Sequence, residues 1–189
     1  MIQYLVTSIR FTIITVVLFG LLYPLVMTGL AQTLFNKQAN GSLVTVNGTV
    51  VGSSVIGQLW TKPQYFQGRP SAAGKGYDPT STGGTNLGPS SKKLIDSTAA
   101  TIAQLRKQNP KASGPPPMDL ITTSASGIDP DISPEAAYWE AARVAAARHL
   151  PLSSVNVIIA AHVQGRTFGF LGEPRVNVLE LNLAMDARR

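Results

Sequence analysis

The chain has 189 residues and no cysteine, two histidines and no basic run longer than a pair. Each shortage excludes something. Without cysteine there is no disulfide framework and no thiolate metal site, and an oxidising compartment is permitted. His149 and His162 alone do not supply zinc-ligand spacing. Asp129-Pro130-Asp131 opens like a calcium loop but lacks the later acid and glycine. Gly74-Lys75 fails as a phosphate loop, because Arg69 stands where the first glycine belongs and Gly76 where Ser or Thr must hold magnesium. The net charge of +6 comes from scattered basic residues without aromatic interleaving, so a solubilising surface is expected and nucleic acid is not a partner.

The most telling absence is positional. From Phe11 to Asn36, 26 residues contain no Asp, Glu, Lys, Arg or His. As a helix this run is about 39 Å long, enough to cross a hydrocarbon core of about 30 Å with some tilt. It is too long for the apolar region of a cleaved signal peptide, and Leu30-Ala31-Gln32-Thr33-Leu34 lacks an Ala-x-Ala pattern. The expected organisation is therefore a short cytoplasmic tail at 1–10, a transmembrane helix at 11–36 and an extracytoplasmic domain at 37–189. Arg10 before the span sets this orientation only through the positive-inside bias. Gly20, Pro24, Thr28 and Ala31, spaced by four, four and three, form a small-residue face suited to close helix packing in lipid. Thr12 and Val16 extend it, and Pro24 is expected to interrupt the helical hydrogen bonds.

Beyond the span the pattern is mixed. Leu43–Val46 and Thr49–Val51 flank Asn47-Gly48, a two-residue hairpin signal. Residues 62–90 are rich in Gly, Pro, Ser and Thr, a long loop that must be either functional or held by packing. Ser90 is expected to cap a helix to about Gln108, with Leu94, Thr98, Ile102 and Leu105 on one side. Gly114-Pro115-Pro116-Pro117 forms a stiff connector, and Asp119–Thr123 reads as a short strand. Ser133-Pro134-Glu135 starts an alanine-rich helix to about His149. Val155–His162 and Val176–Met185 are open between helix and strand. The fold class is α+β, with a single N-terminal transmembrane helix.

Chemistry is sparse. Ser90-Ser91-Lys92-Lys93 matches Ser-x-x-Lys at a helix start, which keeps a membrane-anchored Ser/Lys acyl-transfer enzyme as an alternative. The companion Ser-Asp-Asn and Lys-Thr-Gly motifs do not occur, and a capping serine followed by solvated lysines accounts for the match. Half of the ten acids fall between Lys111 and Arg143: Asp119, Asp129, Asp131, Glu135 and Glu140. They form either a cation-attracting face or the dipole-favoured start of a helix. Glu173 and Asp186 have no evident partner. Gln67, Arg69 and Asn86 in the Gly-rich loop, Ser124 and Ser126 beyond it, and Asp129 and Asp131 are the partner-contact candidates; the glycines around them equally suit plain turns. No residue is expected to be catalytic, and none to bind a cofactor or metal.

Four segments resemble the KdpC subunits of the bacterial potassium-transporting ATPase. They are Tyr65–Ser71, Tyr77–Ser90 (Tyr-Asp-Pro-Thr-Ser-Thr-Gly-Gly-Thr-Asn-Leu-Gly-Pro-Ser), Thr122–Ala137, and Phe168–Asn182 (Phe-Gly-Phe-Leu-Gly-Glu-Pro-Arg-Val-Asn-Val-Leu-Glu-Leu-Asn). The resemblance implies a hetero-oligomeric inner (plasma) membrane complex for ATP-driven potassium uptake. Its partners would be a channel-like potassium-selecting subunit, a P-type ATPase subunit and a small accessory peptide. ATP and Mg would be bound by the ATPase subunit and potassium handled by the channel-like one. The subunit itself would be non-catalytic, assembling the complex and acting as a catalytic chaperone that raises the ATPase subunit's affinity for ATP. A free-standing envelope binding module is the remaining alternative.

Overall fold

The computed structural model describes residues 1–188. It divides into two compact units between Leu43 and Val44. In the first, the chain is helical from Ile2 to Leu34, so the expected tail is continuous with the apolar segment. This 33-residue helix is long and apolar enough to cross a membrane, and none of its apolar window is buried. A core helix of a water-soluble domain would be covered by its own fold; this one is not.

The helix is not uniform. Helix α1 (Ile2–Thr15) and helix α2 (Tyr23–Leu34) flank a π-helical stretch, Val16–Leu22. There the register widens, and the Tyr23 amide donates to the Leu18 carbonyl five residues back. This widening sits immediately before Pro24, which has no N–H to give and whose ring crowds the preceding turn. The proline's disturbance is thus met inside the helix. Pro24, Thr28 and Ala31 lie together in regular α2, whereas Gly20, Val16 and Thr12 sit in or before the widened turns. A short turn of helix, α3 (Asn36–Ala39), follows.

A hairpin, β1 (Leu43–Val46) and β2 (Thr49–Ser53), begins at the unit boundary and lies in the second unit from Val44 on. Asn47 (φ 50°) and Gly48 (φ 78°) both take the left-handed region, as a two-residue turn between twisted strands requires. Helix α4 (Lys92–Gln108) starts one residue later than expected, with Ser91 rather than Ser90 at its N-cap. The expected strand at Asp119–Thr123 is instead one helical turn, α5 (Met118–Ile121). Leu120 and Ile121 are both buried, and a strand cannot aim consecutive side chains at the same core. Helix α6 (Pro134–Arg148) follows β3 (Asp131–Ile132) and begins as its sequence predicts, the Ser133 hydroxyl accepting from the Ala136 amide at 3.0 Å. It ends with His149 at φ 56° and the Leu150 amide donating back to Ala145.

The two open segments resolve differently. Val155, Ile158 and Ile159 sit on the buried face of helix α7 (Leu152–His162). The other, Val176–Met185, splits between strand β5 (Arg175–Asn177) and helix α8 (Val178–Asp186). Strand β5 lies between β3 and β4 (Val163–Gln164) in an antiparallel sheet, pairing Val176 with both Ile132 and Val163. Helices α6, α7 and α8 pack over it around Val144, Val155, Ile159, Val176, Leu181 and Met185. Phe66, from the long loop, is fully buried in the same core.

Candidate functional site

The long loop has little regular structure, so its backbone polar groups must find partners elsewhere. Buried side chains of α6 and α8 supply them. Asn182 accepts from the Phe66 amide at 2.8 Å and donates to the Phe66 carbonyl at 3.0 Å, replacing a strand neighbour. Glu140, 1% exposed, accepts from the Gln67 amide at 2.8 Å and pairs with Arg143 at 2.8 Å. Arg143 in turn donates to the carbonyls of Pro63 (2.6 Å) and Tyr65 (3.0 Å). Arg148 donates to the Gln64 carbonyl and to Asp186, and stacks over the Tyr65 ring. Burial pushes the Glu140 carboxyl above its ordinary range, against the opposing pull of Arg143 and the Gln67 amide.

A second junction ties the loop to residues 124–131. Gly57 donates to the Ile128 carbonyl (2.9 Å), Gly83 to Ser126 (2.8 Å) and Ser124 to Pro70 (3.2 Å). The Ser71 hydroxyl donates to the Gly127 carbonyl and accepts from the Tyr77 amide. The Tyr77 hydroxyl donates to the Arg69 carbonyl at 2.5 Å, beneath Gly57 and Gly68. A Cβ at Gly57 would press on the Tyr77 ring and lie 2.5 Å from the Asp129 carbonyl oxygen, so only glycine fits. Burial first, then the Asp129 charge, pushes the Tyr77 phenol up to about 12, with Arg69 opposing.

Two ion pairs edge this junction. Arg69 meets Asp129 at 3.1 Å, and Arg175 meets Asp131 at 3.1 Å. Asp129 also accepts from the Asp131 amide, and Asp131 from the Asn177 side chain. Burial raises the Asp131 carboxyl, while Asn177 and Arg175 oppose it. These pairs line one side of an open cleft of about 960 Å³ that also includes Ile102, Pro117, Ile121 and Ile132. Such a wall of paired charges beside apolar side chains suits binding.

A family model described as "K+-transporting ATPase, c chain" (KdpC) matches residues 5–187. The chain belongs to this family. Relatives named potassium-transporting ATPase KdpC subunit are similar over nearly the whole length. The one from Myxococcus xanthus is 58% identical over 183 residues, covering 96% of this chain and 87% of that protein. Those from Koribacter versatilis and Acidobacterium capsulatum are 51% and 52% identical, covering 96% and 97% of this chain and 93% and 98% of the relatives.

In this KdpC-family chain, Arg69, Ser124, Ser126, Asp129 and Asp131 converge on the second junction. Gln67 joins the first through its backbone. Asn86 is exposed, with a left-handed backbone (φ 51°), and takes part in neither. Much of the polar capacity of these residues is used inside the domain: Ser124 is buried and accepts from the Gly127 amide, and Ser126 accepts from the Ile128 amide. In the acidic segment, Asp119 accepts from the Ser133 amide at 2.6 Å and Glu135 stands exposed in the first turn of α6. Among the described residues no group of three or more His, Cys, Asp or Glu is placed to hold a metal ion. Gly20, Pro24, Thr28 and Ala31 belong to the first unit.

Two acids without evident partners in the sequence do have them: Glu173 pairs with Arg166 at 2.6 Å and Asp186 with Arg148 at 2.9 Å. At the Ser-x-x-Lys match, Lys92 pairs with Asp96 at 2.8 Å, and no hydrogen bond joins Ser90 to Lys93 among the described residues. Sequence reasoning grouped Glu140 with the acidic segment, whereas it is buried and paired with Arg143, and it missed Arg143 and Asn182, which position the loop with it. A signal existed for the pair: charges at i and i+3 fall on the alanine face of α6, between buried Ala136, Ala137 and Ala141.

Proposed function

We propose that the chain is a non-catalytic accessory subunit of an ATP-driven potassium-uptake complex in the plasma membrane. Its partners are a channel-like potassium-selecting subunit, a P-type ATPase subunit and a small accessory peptide. The ATPase subunit binds ATP and Mg, and the channel-like subunit handles potassium. The carrying observation is the match to the K+-transporting ATPase c-chain model over residues 5–187. A helix with no burial across its apolar window supports the reading, because such a surface seeks lipid and other membrane helices.

Assembly then proceeds through the face of Gly20, Pro24, Thr28 and Ala31, with the N-terminus cytoplasmic and the domain outside. In that orientation the domain does not meet ATP. Its effect on the ATPase subunit's nucleotide affinity is a coupling free energy carried through the membrane helix, and by reciprocity ATP tightens the subunit's hold on the complex.

The test is affinity purification of the tagged full chain in mild detergent from potassium-starved cells. Near-equal recovery of a P-type ATPase and a channel-like subunit is expected. Recovery of the chain alone, from cells that contain those proteins, overturns the assembly reading. For the coupling, the ATP dissociation constant of the complex with and without this chain should differ; equal values discard the chaperone role.

A further inference from the structure

The membrane helix leaves one of its own backbone acceptors without a donor. Over Val16–Leu22 the register is π, and the Tyr23 amide donates to the Leu18 carbonyl. The Phe19 carbonyl thereby loses the donor four residues on, and the residue five on is Pro24, which has no N–H. Widening the turn makes room for the proline ring, but it moves the missing bond to Phe19 instead of removing it. Among the described residues no side chain closes the gap: the hydroxyl one turn back, on Thr15, donates to the Phe11 carbonyl at 2.8 Å. Nor is the Phe19–Gly20 peptide shielded. Within 4 Å, a Cβ at Gly20 would meet only Val16 Cγ1, at 3.7 Å.

Depth decides what fills the gap. Phe19 lies about 12 Å inside the uncharged run that starts at Phe11, within the hydrocarbon and not at its edge. Acyl chains carry no donor and the hydrocarbon holds no water, so a free carbonyl there calls for a donor on another protein segment. A second copy of the chain does not offer one at that level. Copies insert in one orientation, so a neighbour presents its own Val16–Pro24, where the only side-chain donor is the Tyr23 phenol. Its Thr12 and Thr28 hydroxyls lie about 10 Å or more away along the axis. Its amides, Gln32 and Asn36, lie about 20 Å or more away and bond to each other.

We propose that the Phe19 carbonyl is an assembly contact, accepting a hydrogen bond from a hydroxyl or amide side chain on a membrane helix of another subunit of the potassium-transporting ATPase. This rests on the accessory-subunit reading and deepens it by naming the atom and the chemistry of the helix contact. Pro24 acts by withholding a donor, which leaves the acceptor to the partner.

The experiment uses the full chain, isotope-labelled for NMR at its phenylalanine carbonyls and glycine nitrogens. This singles out the Phe19–Gly20 and Phe168–Gly169 peptides, the two Phe-Gly pairs of the sequence. The Phe19 carbonyl resonance is compared between the lone chain in detergent and the assembled complex, and is expected to move towards the hydrogen-bonded range on assembly. No movement, with the other subunits recovered, overturns the proposal. Tyr23→Phe is expected to leave the movement intact; its loss would assign the donor to a copy of this same chain and overturn the proposal too. Pro24→Ala supplies the missing N–H, so a more regular helix should hold its partners less well. Recovery of the other subunits in stringent detergent is expected to fall about three- to twentyfold, the range of one interhelical hydrogen bond in lipid. Undiminished recovery overturns the contact. If the unaltered chain brings down no partner at all, the assembly reading itself has failed and the contact falls with it.

Discussion

Two irregular segments of this domain are built in opposite ways. Residues 62–71 turn their backbone groups inward, where Asn182, Glu140, Arg143 and Arg148 receive them and Phe66 is buried. Residues 166–173 satisfy themselves across a closed neck and turn Phe168 and Phe170 outward. In sequence the 62–71 segment resembles a contact loop, and it is structural in large part. The 166–173 segment has no element assigned to it from the sequence, and it presents the larger exposed apolar surface. Irregular backbone is informative only when the destination of its polar and apolar groups is known.

The contrast breaks most visibly at Glu140. Glu140→Ala leaves the Arg143 guanidinium buried without its counter-charge and frees the Gln67 amide, which should cost about 3–5 kcal/mol. Urea unfolding of the full chain in detergent measures it, and limited proteolysis should show new cleavage near residues 62–69. Glu140→Gln should cost less, because its amide oxygen can still accept from the Gln67 amide and its side chain keeps nearly the same volume. Equal losses for both variants would mean that the charge paired with Arg143, which both remove, holds the loop, whereas an unchanged stability in Glu140→Gln would assign it to packing and the hydrogen bond to Gln67. Next comes Asn182→Ala, which strips partners from both the amide and carbonyl of Phe66 and should cost roughly 2–4 kcal/mol. A loss below about 1 kcal/mol would show the loop to be held without that clamp.

What is legible in the sequence follows the range of the interaction. The hairpin can be read because Asn47-Gly48 carries its own backbone requirement, and the start of α6 because Ser133, Pro134 and Glu135 are neighbours. Helix α4 is displaced by only one residue, Ser91 doing what Ser90 is expected to do. The α5 turn reads as a strand because four residues carry no period, and only the core decides that Leu120 and Ile121 both point inward. The lock on the long loop is invisible for a stronger reason: its partners lie 116 and 73 residues away. The contact candidates are polar residues in a glycine-rich setting. That criterion selects hydrogen-bonded junctions such as Ser71–Gly127–Ser124 as readily as partner surfaces.

A third measurement sharpens the contrast through pH. The folded Tyr77 phenol titrates at about 12 against an ordinary value of 10.0, so the native state holds its proton more tightly than the unfolded chain. Its contribution is fully present below the unfolded value and is lost as pH rises towards the folded one. The total over that window is about 2–3 kcal/mol. Tyr77→Phe should lose about 1 kcal/mol at neutral pH, for the hydrogen bond to Arg69, while flattening the alkaline slope. The difference between the two proteins is the observable, since lysines also titrate there. An unchanged slope in Tyr77→Phe would place the alkaline sensitivity elsewhere.

The smallest effect on stability is expected at the outward turn, and its sign is the informative part. Phe168 contributes little to the domain's core, because its ring is 84% exposed, and it occupies a backbone region that asparagine tolerates better. Phe168→Asn should therefore leave the domain's stability unchanged or raise it by roughly 0.5–1 kcal/mol. A loss above about 1 kcal/mol would instead show that the ring packs within its own domain, and the two segments would then be structural alike. Thermal unfolding of the full chain in detergent, paired with recovery of partner subunits, separates the cases: stability held while recovery falls leaves the turn as a contact surface alone.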